Sequence, residues 1–257
     1  MSVYTTEIAS DSISSDNPIH QRLLKAYVVA KDFVKGDVLE VGVGEGRGVE
    51  MLMPGCDTFT GIDKIDEVIQ DLSGKYPQGI FKQMNIPPFD GLASNKYDSV
   101  ISFQVIEHIK NDLGYLKEIH RVLKPGGKAL ITTPNIKKTL TRNPWHIREY
   151  TASELKRLCH KVFDQVEMKG IAGNEKVMEY YEMNKKSVEK IIRWDIFNLQ
   201  YRLPAAVLRV PYDLLNRMNR NKLEGSKNDL VSSIDHSDYL FSDSAESSLD
   251  LFAVLTK

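Results

Sequence analysis

Two kinds of apolar pattern alternate along the chain. Short runs that are apolar at most positions recur at Val38–Val41, Cys56–Ile62, Ile80–Met84, Tyr97–Phe103, Lys128–Thr133, Val162–Gly170 and Leu249–Leu255. Runs of this kind suit strands buried on both faces. Between them, apolar residues fall at helical spacing. Pro18 to Val34 carries Leu23, Leu24, Tyr27, Val28 and Phe33; the stretch after Gly48 carries Val49, Met51, Leu52 and Met53; Leu113 to Leu123 carries Leu116, Ile119 and Leu123. Thr151-Ala152-Ser153-Glu154 has the capping-box pattern and precedes Leu155 and Leu158, so a helix starts there. Strands and helices in alternation predict an α/β domain with a parallel sheet.

The rhythm breaks after the sixth run. About eighty residues separate Gly170 from Leu249, far more than a strand connection requires. Glu175 to Leu203 has Val188, Ile191, Ile192, Ile196, Leu199 and Leu203 at helical spacing, and Pro204 ends it. A second helical stretch holds Val207, Val210, Leu214, Leu215 and Met218, and Asn221 to Ser237 reads as polar linker. Residues 174–238 are therefore expected to form a helical insertion within a domain spanning 18–257, after a flexible lead-in over 1–17.

The first strand runs into Gly42-Val43-Gly44-Glu45-Gly46-Arg47-Gly48. Alternate glycines permit positive φ and close approach of a ligand to the backbone. Amide groups at the start of the following helix suit an anion, so the turn predicts a nucleotide-cofactor site at a strand carboxyl end. The dinucleotide fingerprint needs a third glycine where Arg47 stands, which disfavours a nicotinamide cofactor. The run is instead G-x-G-x-G with Glu40 two residues before it. This combination resembles the first motif of the class I S-adenosylmethionine-dependent methyltransferases. Two further strings strengthen the resemblance, which covers Val38 to about Gly170. One is Glu107-His108 after the fourth strand; the other is Arg121-Val122-Leu123-Lys124-Pro125-Gly126-Gly127 before the fifth.

The resemblance implies a doubly wound, seven-stranded, mostly parallel sheet with an antiparallel last strand, and the helical insertion before that strand. It implies S-adenosyl-L-methionine as cofactor and S-adenosyl-L-homocysteine as product. Glu40 orients the glycine loop and the amino-acid end of the cofactor, and Gly42, Gly44 and Gly46 pass against its methionine moiety. Asp63, ending the second strand with Lys64 after it, accepts the ribose hydroxyls, as an ionised carboxylate can. Asn85 binds the adenine amino group and the Ile86 backbone meets a ring nitrogen. Gln104 lines the cleft, and Arg22 on the leading helix reaches the cofactor carboxylate. Each has a plainer reading: Asn85 as a turn residue before Pro87 and Pro88, Asp63 as a helix cap, Arg22 as a solvated side chain.

The acceptor side is less determined. The loop from Thr133 to Tyr150 is long for a compact domain, and long loops are usually functional. Its Trp145, Arg148 and Tyr150 are substrate-binding candidates, and His146 joins His108 as a candidate base. A structural loop in which Arg148 and Glu149 pair locally is the alternative. Transfer from a sulfonium needs mainly positioning and a dry cleft. A base matters only for a poorly ionised hydroxyl acceptor. The expected reaction is methylation of an O or N atom on a small-molecule, glycan- or lipid-linked acceptor; a non-catalytic cofactor-binding regulatory protein is the competing class.

Composition narrows the partners. In 257 residues the formal net charge is −1, and the pI is about 6.6, so no overall basic field points to nucleic acid. Cys56 and Cys159 are scattered, which suits a reducing cytoplasm and supplies no clustered metal motif; no metal is expected. The insertion is locally basic, with Lys185, Lys186, Lys190, Arg193, Arg202, Arg209, Arg217, Arg220 and Lys222. It could pack on its own sheet, cap the substrate, form a homodimer surface, or lie on an anionic membrane without spanning it.

Overall fold

The computed structural model describes residues 13–195, 197–226 and 228–257. One sheet of eight strands runs in the order β3-β2-β1-β4-β5-β8-β6-β7. Its strands are β1 (Asp37–Val41), β2 (Thr58–Asp63), β3 (Ile80–Gln83), β4 (Tyr97–Phe103), β5 (Leu123–Pro134), β6 (Gln165–Gly173), β7 (Tyr239–Ser242) and β8 (Asp250–Thr256). β1 to β5 pair in parallel, while β8 is antiparallel to both β5 and β6. The strand count exceeds expectation by one. β7 is a short edge strand antiparallel to β6, and its four residues, partly exposed, gave too little apolar signal to read.

Successive strand residues face opposite layers. Val38, Ile101, Leu130, Phe252 and Val254 meet α1 (Asn17–Ala30), the short α2 (Val49–Leu52) and α3 (Asp66–Lys75). Leu39, Val100, Ala129, Ile131, Leu251 and Ala253 meet α4 (Asp112–Val122) and α5 (Ala152–Cys159). This two-sided burial is why the strands read as continuous apolar runs. The capping box on α5 forms as the Thr151 and Glu154 spacing requires.

Between β6 and β7 lie α6 (Glu175–Ile192), α7 (Leu199–Arg202), α8 (Ala205–Ser226) and α9 (Asn228–Ser233). The stretch expected as polar linker is largely helical, because Leu223, Val231 and Ile234 are buried against α1 and the sheet edge. Of the expected lead-in, residues 1–12 lie outside the described residues. Its end is fixed, not flexible. Ser14–Asp16 form a 3-10 turn, and the buried Asp16 carboxylate accepts from Arg217 and Arg220 of α8, both at 2.8 Å. Among the described residues no helix is long and apolar enough to cross a membrane.

Candidate functional site

The sheet order reverses between β1 and β4, and two adjoining cavities open at the strand carboxyl ends there. The first, of about 320 Å³, is lined by Gly42, Gly44, Asp63, Lys64, Asn85, Ile86, Gln104 and His108. Eight of the anticipated site residues thus meet around one space. The second, of about 260 Å³, lies between the loop after β5 and the inserted helices. Leu23, Gln104 and His108 line both.

The glycine loop is shaped by backbone demands. Gly42 sits at φ +75°, and a Cβ there would fall 2.5 Å from Val105. Gly44 has φ +50° and open space where a Cβ would stand, on the cavity side. Gly46 does not line the cavity; a Cβ there would strike Leu72 at 2.5 Å, so its smallness serves packing on α3. The Asp63 carboxylate accepts from the Gly44 and Ile65 backbone amides, each at 3.0 Å, tying the loop to the end of β2. An ionised carboxylate keeps lone pairs for further donors.

Glu40 lies behind the loop. The Tyr27 hydroxyl donates to one of its oxygens at 2.7 Å, while the other is buried with no hydrogen-bond partner. Burial pushes its pKa up to about 8, opposed by the Tyr27 hydrogen bond and the charge of Arg47. Glu40 does not itself line the cavity; its orphaned acceptor lies beneath a loop with open space above Gly44, which fits a ligand bearing a cationic amine. Arg22 does not line this cavity. Its guanidinium pairs with the buried Asp250 at 3.1 Å and faces the second cavity, while Asp250 faces the first. The pair forms part of the partition. Asp250 was not anticipated, although a carboxylate heading the apolar run of β8 is a signal of the right kind.

The loop after β5 hangs on Glu107. The backbone amides of Ile147 and Arg148 donate to its carbonyl at 2.8 and 3.2 Å. Its side chain, fully buried, accepts from the Thr133 hydroxyl at 2.9 Å. Burial raises the carboxyl pKa to about 7, and the His146 ring opposes that shift. The rings of His108 and His146 meet edge to face, 4.9 Å apart. His108 Nδ1 lies 2.9 Å from the Trp145 carbonyl, and His146 Nδ1 lies 2.6 Å from the Glu149 carboxylate. Burial, with the neighbouring His146, lowers the His108 pKa to about 4. Ligand-capable atoms of Glu107, His108 and His146 all lie within 4.8 Å of one another.

Three expected substrate contacts fall elsewhere. The Arg148 side chain, more than half exposed, pairs with Asp112 at 2.6 Å, and the buried Tyr150 hydroxyl donates to the same carboxylate at 3.0 Å. Both anchor the loop to α4. Trp145 donates from its indole to Asp213 at 3.1 Å and lies under the Arg209 guanidinium, joining the loop to α8. None lines either cavity. The walls that were missed come from the insertion: Tyr180 and Asn184 on α6, and Tyr212, Asn216 and Arg220 on α8. Their spacing of four residues puts each set on one helical face.

Residues 39–131 match a family model described as a methyltransferase domain. A protein of Mycolicibacterium smegmatis named "Probable S-adenosylmethionine-dependent methyltransferase" is 33% identical over 136 residues, covering 51% of this chain and 52% of that protein. A ubiquinone biosynthesis O-methyltransferase of Rickettsia conorii is 28% identical over 133 residues, covering 50% of this chain and 44% of that one. The chain thus spans about half the length of the curated relatives it matches. A solved S-adenosylmethionine-dependent methyltransferase from Thermotoga maritima superposes with TM-score 0.59 at 14% identity, over 95% of this chain and 91% of that one. Residues 39–131 thus match a methyltransferase domain, and the chain shares the fold of a solved S-adenosylmethionine-dependent methyltransferase.

Proposed function

We infer that the chain transfers a methyl group from S-adenosylmethionine, held in the first cavity, to an oxygen or nitrogen atom of an acceptor held in the second. The observation that carries this reading is the pair of cavities sharing Gln104 and His108 at their boundary. Asp63 takes the ribose hydroxyls, Asn85 and the Ile86 amide take the adenine, and Glu40 faces the amino-acid end. The leaving thioether is neutral, so the protein's part is to align donor and acceptor across the boundary and exclude water. His108 and His146 stand at that boundary and act on the acceptor. The supporting test is transfer of label from methyl-labelled cofactor into fractionated cell extract; absence of any labelled product alongside tight cofactor binding would assign a non-catalytic role.

The acceptor is a small molecule, and the insertion favours one carried by a lipid. On α8, Tyr212, Asn216 and Arg220 face the cavity, whereas Val207, Val210, Leu214 and Met218 lie on the opposite face and are 58–77% exposed. Trp194, 84% exposed, and Phe197, 69% exposed, add apolar surface between α6 and α7 of the same insertion. Lys186, Lys190, Arg193, Arg202 and Arg209 are exposed on the same insertion. Exposed apolar residues and exposed cations on one insertion suit peripheral contact with an anionic bilayer from the cytoplasmic side. Co-sedimentation with vesicles containing phosphatidylserine tests this. Val210→Glu with Leu214→Glu should abolish sedimentation. A shift instead from dimer to monomer, with vesicles never bound, would assign the face to a second copy.

A further inference from the structure

We propose that Glu107, His108 and His146 bind one divalent first-row transition-metal ion at the partition between the two cavities, and that the ion takes an oxygen of the acceptor. The residue types are a carboxylate and two imidazoles, a set suited to Zn2+ and its neighbours and poorly suited to Mg2+. Their ligand atoms lie within 4.8 Å of one another. A tetrahedral site with bonds of about 2.0–2.1 Å holds ligands about 3.3 Å apart, so small side-chain rotations close the set.

The surroundings are those a metal site requires. A ligating histidine engages its other ring nitrogen with a carbonyl or carboxylate, which fixes the ring and its tautomer. His108 does so through Nδ1 on the Trp145 carbonyl, and His146 through Nδ1 on Glu149. Both then present Nε2 as the lone-pair nitrogen. Asn143 lies 2.9 Å from His146 Nε2 and would yield that position to the ion. The Thr133 hydroxyl donates to one oxygen of Glu107 and orients the carboxylate, as ligating carboxylates are oriented. A buried carboxylate is costly unless compensated by a proton or a cation. The Thr139 hydroxyl in turn donates to Glu149, so the outer shell is itself supported. Three protein ligands leave a position open, as in catalytic sites. His108, His146 and Glu107 all line the second cavity, so that position faces the acceptor.

The chemistry deepens the proposed function and rests on reading the second cavity as the acceptor site. An acceptor hydroxyl bound to the ion loses its proton to water at lower pH than it would when free. The oxygen lone pair forms the bond to the methyl carbon. The carbon–sulfur bond breaks with its pair going to sulfur, which becomes a neutral thioether.

The test uses full-length protein stripped with chelator and titrated with Co2+ and Zn2+, S-adenosylhomocysteine binding being measured in parallel. One equivalent of Co2+ should give visible d–d bands that one equivalent of Zn2+ abolishes, while Mg2+ in large excess does not. His146→Asn should weaken Zn2+ binding at least as much as Glu149→Gln, for which a loss on the order of 10–100-fold is expected. An anomalous map from Zn2+-soaked wild-type crystals locates the ion without any variant. Absence of the bands, or a peak away from these three residues, overturns the proposal. In either case normal S-adenosylhomocysteine binding leaves the cofactor reading standing, and loss of that binding alone counts against the cofactor reading.

Discussion

The two cavities share a wall but are built in opposite ways. The first cavity is gathered around the carboxyl ends of the neighbouring strands β1, β2 and β4, its glycine loop held by contacts such as Asp63 with the Gly44 and Ile65 amides. The second cavity is made from side chains brought together from distant segments: Arg22 on α1, His146 in the loop after β5, Tyr180 on α6 and Tyr212 on α8. A cavity set on a strand-end glycine loop constrains sequence tightly at the glycines and at the carboxylate that ties the loop. A side-chain-built cavity tolerates substitution, so its residues announce no fixed spacing. On the proposed reading, cofactor chemistry belongs to the first construction and acceptor choice to the second.

The largest effect that separates them is expected at Asp63. Asp63→Ala removes the acceptor for two backbone amides and, on the proposed reading, for the ribose. Hydrogen bonds to a charged group contribute about 1.5–3 kcal/mol each, so S-adenosylhomocysteine affinity should fall by tenfold or more in calorimetry. Unchanged affinity would mean Asp63 only shapes the loop.

The glycines sharpen the contrast within the loop itself. Gly42→Ala meets both the left-handed conformation, costing about 1–2 kcal/mol, and the Val105 side chain, so urea denaturation should show a clear loss of stability. Gly44→Ala faces open space. Its stability loss should be smaller, yet its cofactor affinity should fall because the methyl enters the cavity. Equal stability losses with intact affinity would break the assignment of Gly44 to the ligand.

Glu40 gives a pH signature. Its folded pKa of about 8 lies above the ordinary value of 4.5, so the folded state holds a proton that the unfolded state releases. The stability this contributes is fully present below about pH 4.5 and is lost as pH rises through 8. Glu40→Gln should flatten the fall in stability of the ligand-free protein over that window, measured by denaturation at several pH values. An identical slope in wild type and variant would contradict the buried, protonated carboxyl.

The smallest effect is expected at Arg148. Its pair with Asp112 is more than half exposed on the arginine side, and such pairs contribute under about 1 kcal/mol. Arg148→Ala should leave cofactor affinity and turnover close to wild type. A large loss of turnover would return Arg148 to the acceptor site.

What could be read from the chain follows the same division. The buried strands were legible because burial on both faces makes them apolar throughout, and the loop because Gly42 and Gly44 must be glycine. The Trp145–Tyr150 segment is legible as a long loop with substrate-binding candidates, but side-chain direction is not in the spacing. His146 turned inward, while Trp145, Arg148 and Tyr150 turned to Asp213 and Asp112. Tyr212 and Asn216 escaped notice because their roles depend on α8 folding back over the sheet edge, a contact set by Asp16 with Arg217 and Arg220, and Asp250 because its partner Arg22 is far away in sequence. Ion pairs between residues so far apart leave no local pattern. β7 escaped for another reason: it is short and lies at an edge.

The division of labour between the cavities is tested most directly by a crystal structure with S-adenosylhomocysteine bound. The account predicts the ribose on Asp63, the chain of the ligand passing over Gly44, and the thioether sulfur at the boundary marked by Gln104 and His108, facing the second cavity. Ligand lying among Tyr180, Tyr212 and Asn216, or a sulfur turned away from His108, would contradict it.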